Sequence, residues 1–219
     1  ITSLSLGDLT GNGQQDLLVG SSYYTLSGYD AQGQVLFGHV GEPVFQHVLV
    51  SDLDGDQQPE AVASNGSHLI VLDVQRTKIV PQTYIKGMNL PRCTGVRFQF
   101  DTGDRIRTLQ VTDGNRDQKR RILVGSDSGF VYCFDQRGQL LHLRGMGDAV
   151  VALAVGRQAD GRPLIAVSQQ NGLVTVLDAS FTPLGHGRFR GPVRWLGVRP
   201  DGILCVTRNS IGVLSGEFR

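Results

Sequence analysis

Four acids stand at fixed intervals in the segment DLDGDQQPE, where Asp52, Asp54, Asp56 and Glu60 occupy positions 1, 3, 5 and 9 of a loop between two apolar runs. A tight loop that turns alternate side chains inward gathers such oxygens around one point. A hard cation such as Ca²⁺ takes about six to eight oxygens without strict geometry, whereas Mg²⁺ keeps several of its waters, so Ca²⁺ is the cation this spacing suits. The segment DLTGNGQQD repeats the design with Asp8, Thr10, Asn12 and Asp16, two carboxylates where the other loop has four. One or two Ca²⁺ sites are therefore expected, at Asp52, Asp54, Asp56 and Glu60 and at Asp8, Asn12 and Asp16. The competing reading is that these Asp and Asn side chains cap their own turns through hydrogen bonds to the backbone. In TDGNRDQKRR the acids Asp113 and Asp117 flank Asn115, but Arg121 stands where the closing acid should be, and GRQADGRPL keeps only Asp160, out of register.

Such loops need strands to hold them, and the chain supplies these by repetition. Four stretches, from Ile1, Phe45, Ile106 and Val150, can be laid over one another, and a weaker fifth begins at Val193. The aspartates Asp30, Asp73, Asp135 and Asp178 end the third apolar run of each stretch at a spacing of 43 residues, except between Asp73 and Asp135. Four short apolar runs per unit of this length, punctuated by Asn, Asp and Gly at hairpin positions, are the pattern of a β-propeller blade. The expectation is an all-β chain with no helix, a single β-propeller domain over 1–219 of about five four-stranded blades: 1–43, 44–104, 105–147, 148–190 and 191–219. An insertion over 79–105 is read as partly the outer strand of blade two and partly a surface excursion. The fifth unit stops after its third strand, so the last blade is expected to be incomplete within this chain and to take a strand from a flanking segment or another protein. Small residues at the ends of the second runs, Gly20, Ala63 and Gly125, are expected where strands converge.

These loops, with the DLLVG and ILVGS strands that follow them, resemble the FG-GAP or VCBS-type repeats of integrin-like β-propellers. The resemblance covers almost the whole chain as a repeat pattern, and only the loops at Asp8–Asp16 and Asp52–Glu60 match its cation motif well. It implies blades rigidified by Ca²⁺, a propeller that serves as a binding platform, and an extracytoplasmic or secreted setting.

Catalytic signatures do not emerge. His39, His47, His68, His142 and His186 show no metal-binding spacing, and GxSxG, P-loop and dinucleotide-binding patterns are lacking in the sequence. Cys93, Cys133 and Cys205 are an odd count without a disulfide framework, and no apolar run is long enough to cross a membrane as a helix. The formal net charge of +1 conceals an asymmetry: residues 1–75 hold nine acids and no Lys or Arg, while the remainder holds all 21 bases. Separated charge of this kind steers oppositely charged partners. The basic clusters at Arg116, Lys119, Arg120 and Arg121 and at Arg188, Arg190, Arg194 and Arg199 have only Phe189 and Trp195 near them where nucleic-acid stacking wants aromatics interleaved throughout, which argues against that partner. The sequence reading is thus a non-catalytic scaffold for protein–protein interaction, with a carbohydrate-binding propeller as the alternative.

Overall fold

The computed structural model describes residues 1–41, 44–81, 89–112 and 119–215. Strands dominate, and among the described residues the only helical element is a single 3₁₀ turn, Val74–Arg76. Asp113, Asn115, Arg116 and Asp117, named above from the sequence, lie outside the described residues.

The repeats become sheets. The first unit forms β1 (Ser3–Gly7), β2 (Asp16–Gly20), β3 (Thr25–Tyr29) and β4 (Val35–Val40) in an antiparallel meander. The second gives β5 (Phe45–Ser51), β6 (Glu60–Asn65) and β7 (His68–Asp73), then β8 (Thr77–Pro81) and β9 (Asn89–Cys93), and then β10 (Val96–Asp101). The third and fourth units give β11 (Ile106–Val111), β12 (Ile122–Ser126), β13 (Phe130–Phe134) and β14 (Leu140–Gly145), then β15 (Val150–Arg157), β16 (Pro163–Gln169), β17 (Leu173–Leu177) and β18 (Pro183–Arg188). The last sheet has three strands among the described residues, β19 (Trp195–Arg199), β20 (Gly202–Val206) and β21 (Ile211–Leu214). Successive four-stranded antiparallel meanders are the architecture of propeller blades.

Part of the span 79–105 supplies the outer strand of the second sheet, since β10 within it is the fourth strand there, paired with β7. The excess is the β8–β9 hairpin, spliced into the turn before β10. The Asp73 amide donates to the Gly95 carbonyl across the splice at 2.7 Å, much as the Asp30 amide donates to Gln34 in the first sheet, and the Thr94 amide closes the hairpin's base on Arg76. The hairpin then returns to the first sheet, where β9 pairs parallel with β4, making six strands in the order β1-β2-β3-β4-β9-β8. An outer edge that would otherwise expose unpaired backbone is thereby covered.

By contacts the chain divides into two compact units, one formed by 1–103 with 116–120 and 136–138, the other by 104–115, 121–135 and 139–219. The first has a core of Leu9, Leu18, Leu26, Phe37, Phe45, Val48, Ile70 and Leu72 between its two sheets. The second has two layers, one around Leu123, Val131, Leu153, Ile165 and Val167, the other around Ala166, Val174, Val176, Leu196 and Ile203. Central strands pack on both faces, so β6 and β12 are buried at every residue, with small and apolar side chains through their middles. Sheets this close leave no room at certain positions. A Cβ at Gly125 would lie 2.4 Å from Cγ1 of Val150, and one at Gly20 only 3.0 Å from the Phe45 carbonyl.

The aspartates that end the third strands close the next turn. Asp30 accepts from the amides of Gln32 and Gln34, Asp178 from those of Ser180 and Thr182, and Asp135 from Gln139, at 2.8–2.9 Å. Asp73 instead caps the 3₁₀ turn at the Gln75 amide, because the hairpin follows it.

Candidate cation loops

The loops at Asp8–Asp16 and Asp52–Glu60 both lie in the first unit and share most of their turn hydrogen bonds. Each opens with an aspartate whose carboxylate holds the turn: Asp8 accepts from Gly11, Asn12 and Gly13, and Asp52 from Gly55 and Gln57. Positive φ falls at equivalent places, Gly11 (+75°) and Gly13 (+82°) in one loop, Gly55 (+83°) and Gln57 (+68°) in the other. Asn12 and Asp56 occupy the same place and do the same thing, each accepting the amide two residues on at 2.8 Å. So side-chain to backbone bonding of the kind read from the sequence is realised at Asp8, Asn12, Asp52 and Asp56, and again at Asp54, which accepts the Asp56 amide, and at Asp16 and Glu60, which accept amides from earlier in their loops. Burial alone would push Asp8 up, but the amides of Gly13, Asn12, Gly11 and Thr10 together hold it below the usual carboxylate range.

The closing acids differ from the openers because they are buried. Asp16 begins β2 and Glu60 begins β6, each 1% exposed. One oxygen of each serves the same purpose, accepting the amide seven residues back: Asp16 Oδ2 from Leu9 at 2.8 Å, Glu60 Oε2 from Leu53 at 2.9 Å. The second oxygens part company. Asp16 Oδ1 is buried with no hydrogen-bond partner. Glu60 Oε1 receives Nη2 of Arg97 at 2.7 Å, while Nη1 of the same guanidinium donates to Asp54 Oδ2 at 2.8 Å. Burial pushes the Glu60 carboxyl up to about 7 against the opposing pull of the Leu53 amide and Arg97. Burial in turn disfavours the Arg97 charge, but Glu60 and Asp54 outweigh it and raise the guanidinium above its ordinary value.

Arg97 was not legible as part of this loop. It lies 43 residues from Asp54 on β10, and the β10–β7 register shifts between Val96 and Phe98, so Arg97 is the bulged residue. A bulge re-aims a side chain. Nearby, Arg120 donates its Nη1 to Ser51 Oγ at 2.7 Å and its amide to the Leu53 carbonyl, tying the end of β5.

The two loops answer a test of cation fit differently. In the first, Thr10 Oγ1 lies between carboxylate oxygens of Asp8 and Asp16, at 3.4 and 3.3 Å, and a buried carboxylate oxygen of Asp16 lacks the donor that buried oxygens nearly always have. Those residues fit a hard cation. In the second, ligand oxygens of Asp52, Asp54 and Glu60 lie within 4.8 Å of one another, but a guanidinium holds two of the three. They do not fit a dication while Arg97 is there. The third and fourth loops close differently again: Thr112 and Arg121 exchange bonds across the neck of one, and Asp160 pairs with Arg162 in a short turn in the other.

The FG-GAP repeat family model matches residues 1–37, which span β1 to β3, the start of β4 and the first loop. No curated protein sequence matches the chain. Among solved structures, BBS1N in complex with ARL6DN, from a crystal soaked with lead, aligns with a TM-score of 0.74 at 13% identity, covering 97% of this chain and 64% of that one. The same complex from a mercury-soaked crystal aligns at 0.72 and 13%, covering 99% and 66%. The chain therefore spans just under two thirds of the length of these neighbours, and the likeness is one of fold.

Proposed function

We propose that the chain is a non-catalytic β-propeller segment whose work is to bind another protein, its five sheets serving as about five blades of a scaffold. One observation carries this reading: a solved protein of this fold, BBS1N, is in complex with a protein partner, ARL6DN, in two crystals that differ in the metal soaked in. The charge distribution supports it. The acidic residues of 1–75 present a single sign over a long stretch, which orients and accelerates encounter with a basic partner surface.

A Ca²⁺ ion held by Asp8, Asn12 and Asp16 is a second part of the proposal, supported by the unpartnered Asp16 oxygen. When bound it would neutralise the buried carboxylate and rigidify the turn between β1 and β2. Titration calorimetry of the chain against ARL6DN, with a glycan array as contrast, tests the first part. Saturable protein association supports the reading, and glycan binding without protein association replaces it with the carbohydrate-binding alternative. Calcium titration of Asp16→Asn tests the second, since the variant should lose the binding heat of the parent chain.

A further inference from the structure

We infer that Arg97 is the resident cation of the second FG-GAP-like loop, so that the Asp52–Glu60 loop is closed by the protein's own guanidinium and does not take calcium.

The equivalence of the two loops carries the argument. The closing acids spend one oxygen on the same bond, to the Leu9 amide and the Leu53 amide. The remaining oxygen of Asp16 has no partner, and the remaining oxygen of Glu60 has Arg97. Position three tells the same story: it is Thr10 in the first loop and Asp54 in the second, and Asp54 is the other acid that Arg97 binds. The loop richer in carboxylates is thus the one that carries a fixed positive charge among them.

The guanidinium is delivered from outside the loop. It comes from the bulge in β10, the fourth strand of the same sheet, and its side chain is 23% exposed against 2% for Glu60. A planar fork that is always charged suits two carboxylates at once, and breaking such a pair would leave Glu60 buried and unpaired. A dication entering the loop would have to expel Arg97 from both bonds and meet its charge at close range. Calcium also prefers about six to eight oxygens, and with two of the loop's carboxylate oxygens bound by the guanidinium fewer remain to it. The sequence pattern of a cation loop is therefore kept while its ion is supplied internally.

Calcium titration calorimetry of four forms of the chain, at mildly alkaline pH, decides the matter. In the parent chain Asp54→Asn should leave the calcium isotherm unchanged, because any heat comes from the first loop. Arg97→Gln, which keeps a hydrogen-bonding side chain without its charge, should add a binding event with a dissociation constant of about 10⁻⁴–10⁻³ M, the range of weak extracellular calcium modules. Asp54→Asn placed on top of Arg97→Gln should remove that event. Loss of calcium binding by Asp54→Asn in the parent overturns the inference, as does a folded Arg97→Gln chain that gains no binding. Should Arg97→Gln not fold, Arg97→Lys serves with the parent comparison: it keeps the charge, so calcium binding that appears in it and is abolished by Asp54→Asn also overturns the inference.

Discussion

Single side chains in this protein carry consequences that can be titrated. Glu60 holds its proton more tightly in the folded chain, at about 7, than at the ordinary value of 4.5. Its stabilising contribution is therefore fully present below about 4.5 and is lost as pH rises through about 7. The difference in unfolding free energy between the parent and Glu60→Gln, measured by urea titration from pH 5 to 8, should drift by on the order of 2–3 kcal/mol, the parent losing ground as pH rises. A flat difference would mean that Arg97 fully offsets burial. Gln57 sits at a φ of +68°, where the equivalent residue in the first loop is Gly13. Gln57→Gly should raise the urea midpoint, a gain of about 0.5–1 kcal/mol, since glycine adopts that conformation without steric cost. The thiols make a third case. Cys93, Cys133 and Cys205 are all buried, and burial pushes Cys133 and Cys205 up to about 11. Ellman's reagent at neutral pH should label none of them until denaturant is added.

Elements are where reading the chain succeeded most and also where it missed. Strands β1 to β7 and β11 to β21 were foreseeable, because each repeat writes its strands in apolar runs and its turns in Asp and Gly, and an outer strand was read within Ile79–Arg105, where β10 lies. The β8–β9 hairpin was not, since the pairing of β9 with β4 is parallel and non-local and leaves no local periodicity. The candidate loops were found in the sequence for the same reason the strands were. Arg97 was missed because a bulge and a separation of 43 residues put it there. Sheet-to-sheet packing makes its own prediction. Gly125→Ala places a methyl group 2.4 Å from Val150 between two sheets of the second unit, and chemical denaturation should show a loss of about 1–3 kcal/mol, typical of overpacking.

For the molecule as a whole, stability should be graded across the sheets and not only along the chain. Hydrogen exchange read by mass spectrometry is expected to show the slowest amides in β6, β12 and β16, which are buried on both faces, and faster exchange in the outer strands β14 and β18. Uniform protection would contradict the layered packing. If the acidic N-terminal stretch steers a partner, the association rate should fall steeply with added salt while dissociation changes little. The splice that inserts β8 and β9 has one more implication. Arg76 and Thr94 sit side by side, joined by a 3.3 Å hydrogen bond, so the hairpin leaves and re-enters the second sheet at nearly the same point. Whatever replaces it must have its two ends close together and must also cover the β4 edge that β9 pairs with. A fluorescent reporter or an epitope grafted into the chain here should therefore be added to the hairpin, with β9 and its buried Cys93 kept in place.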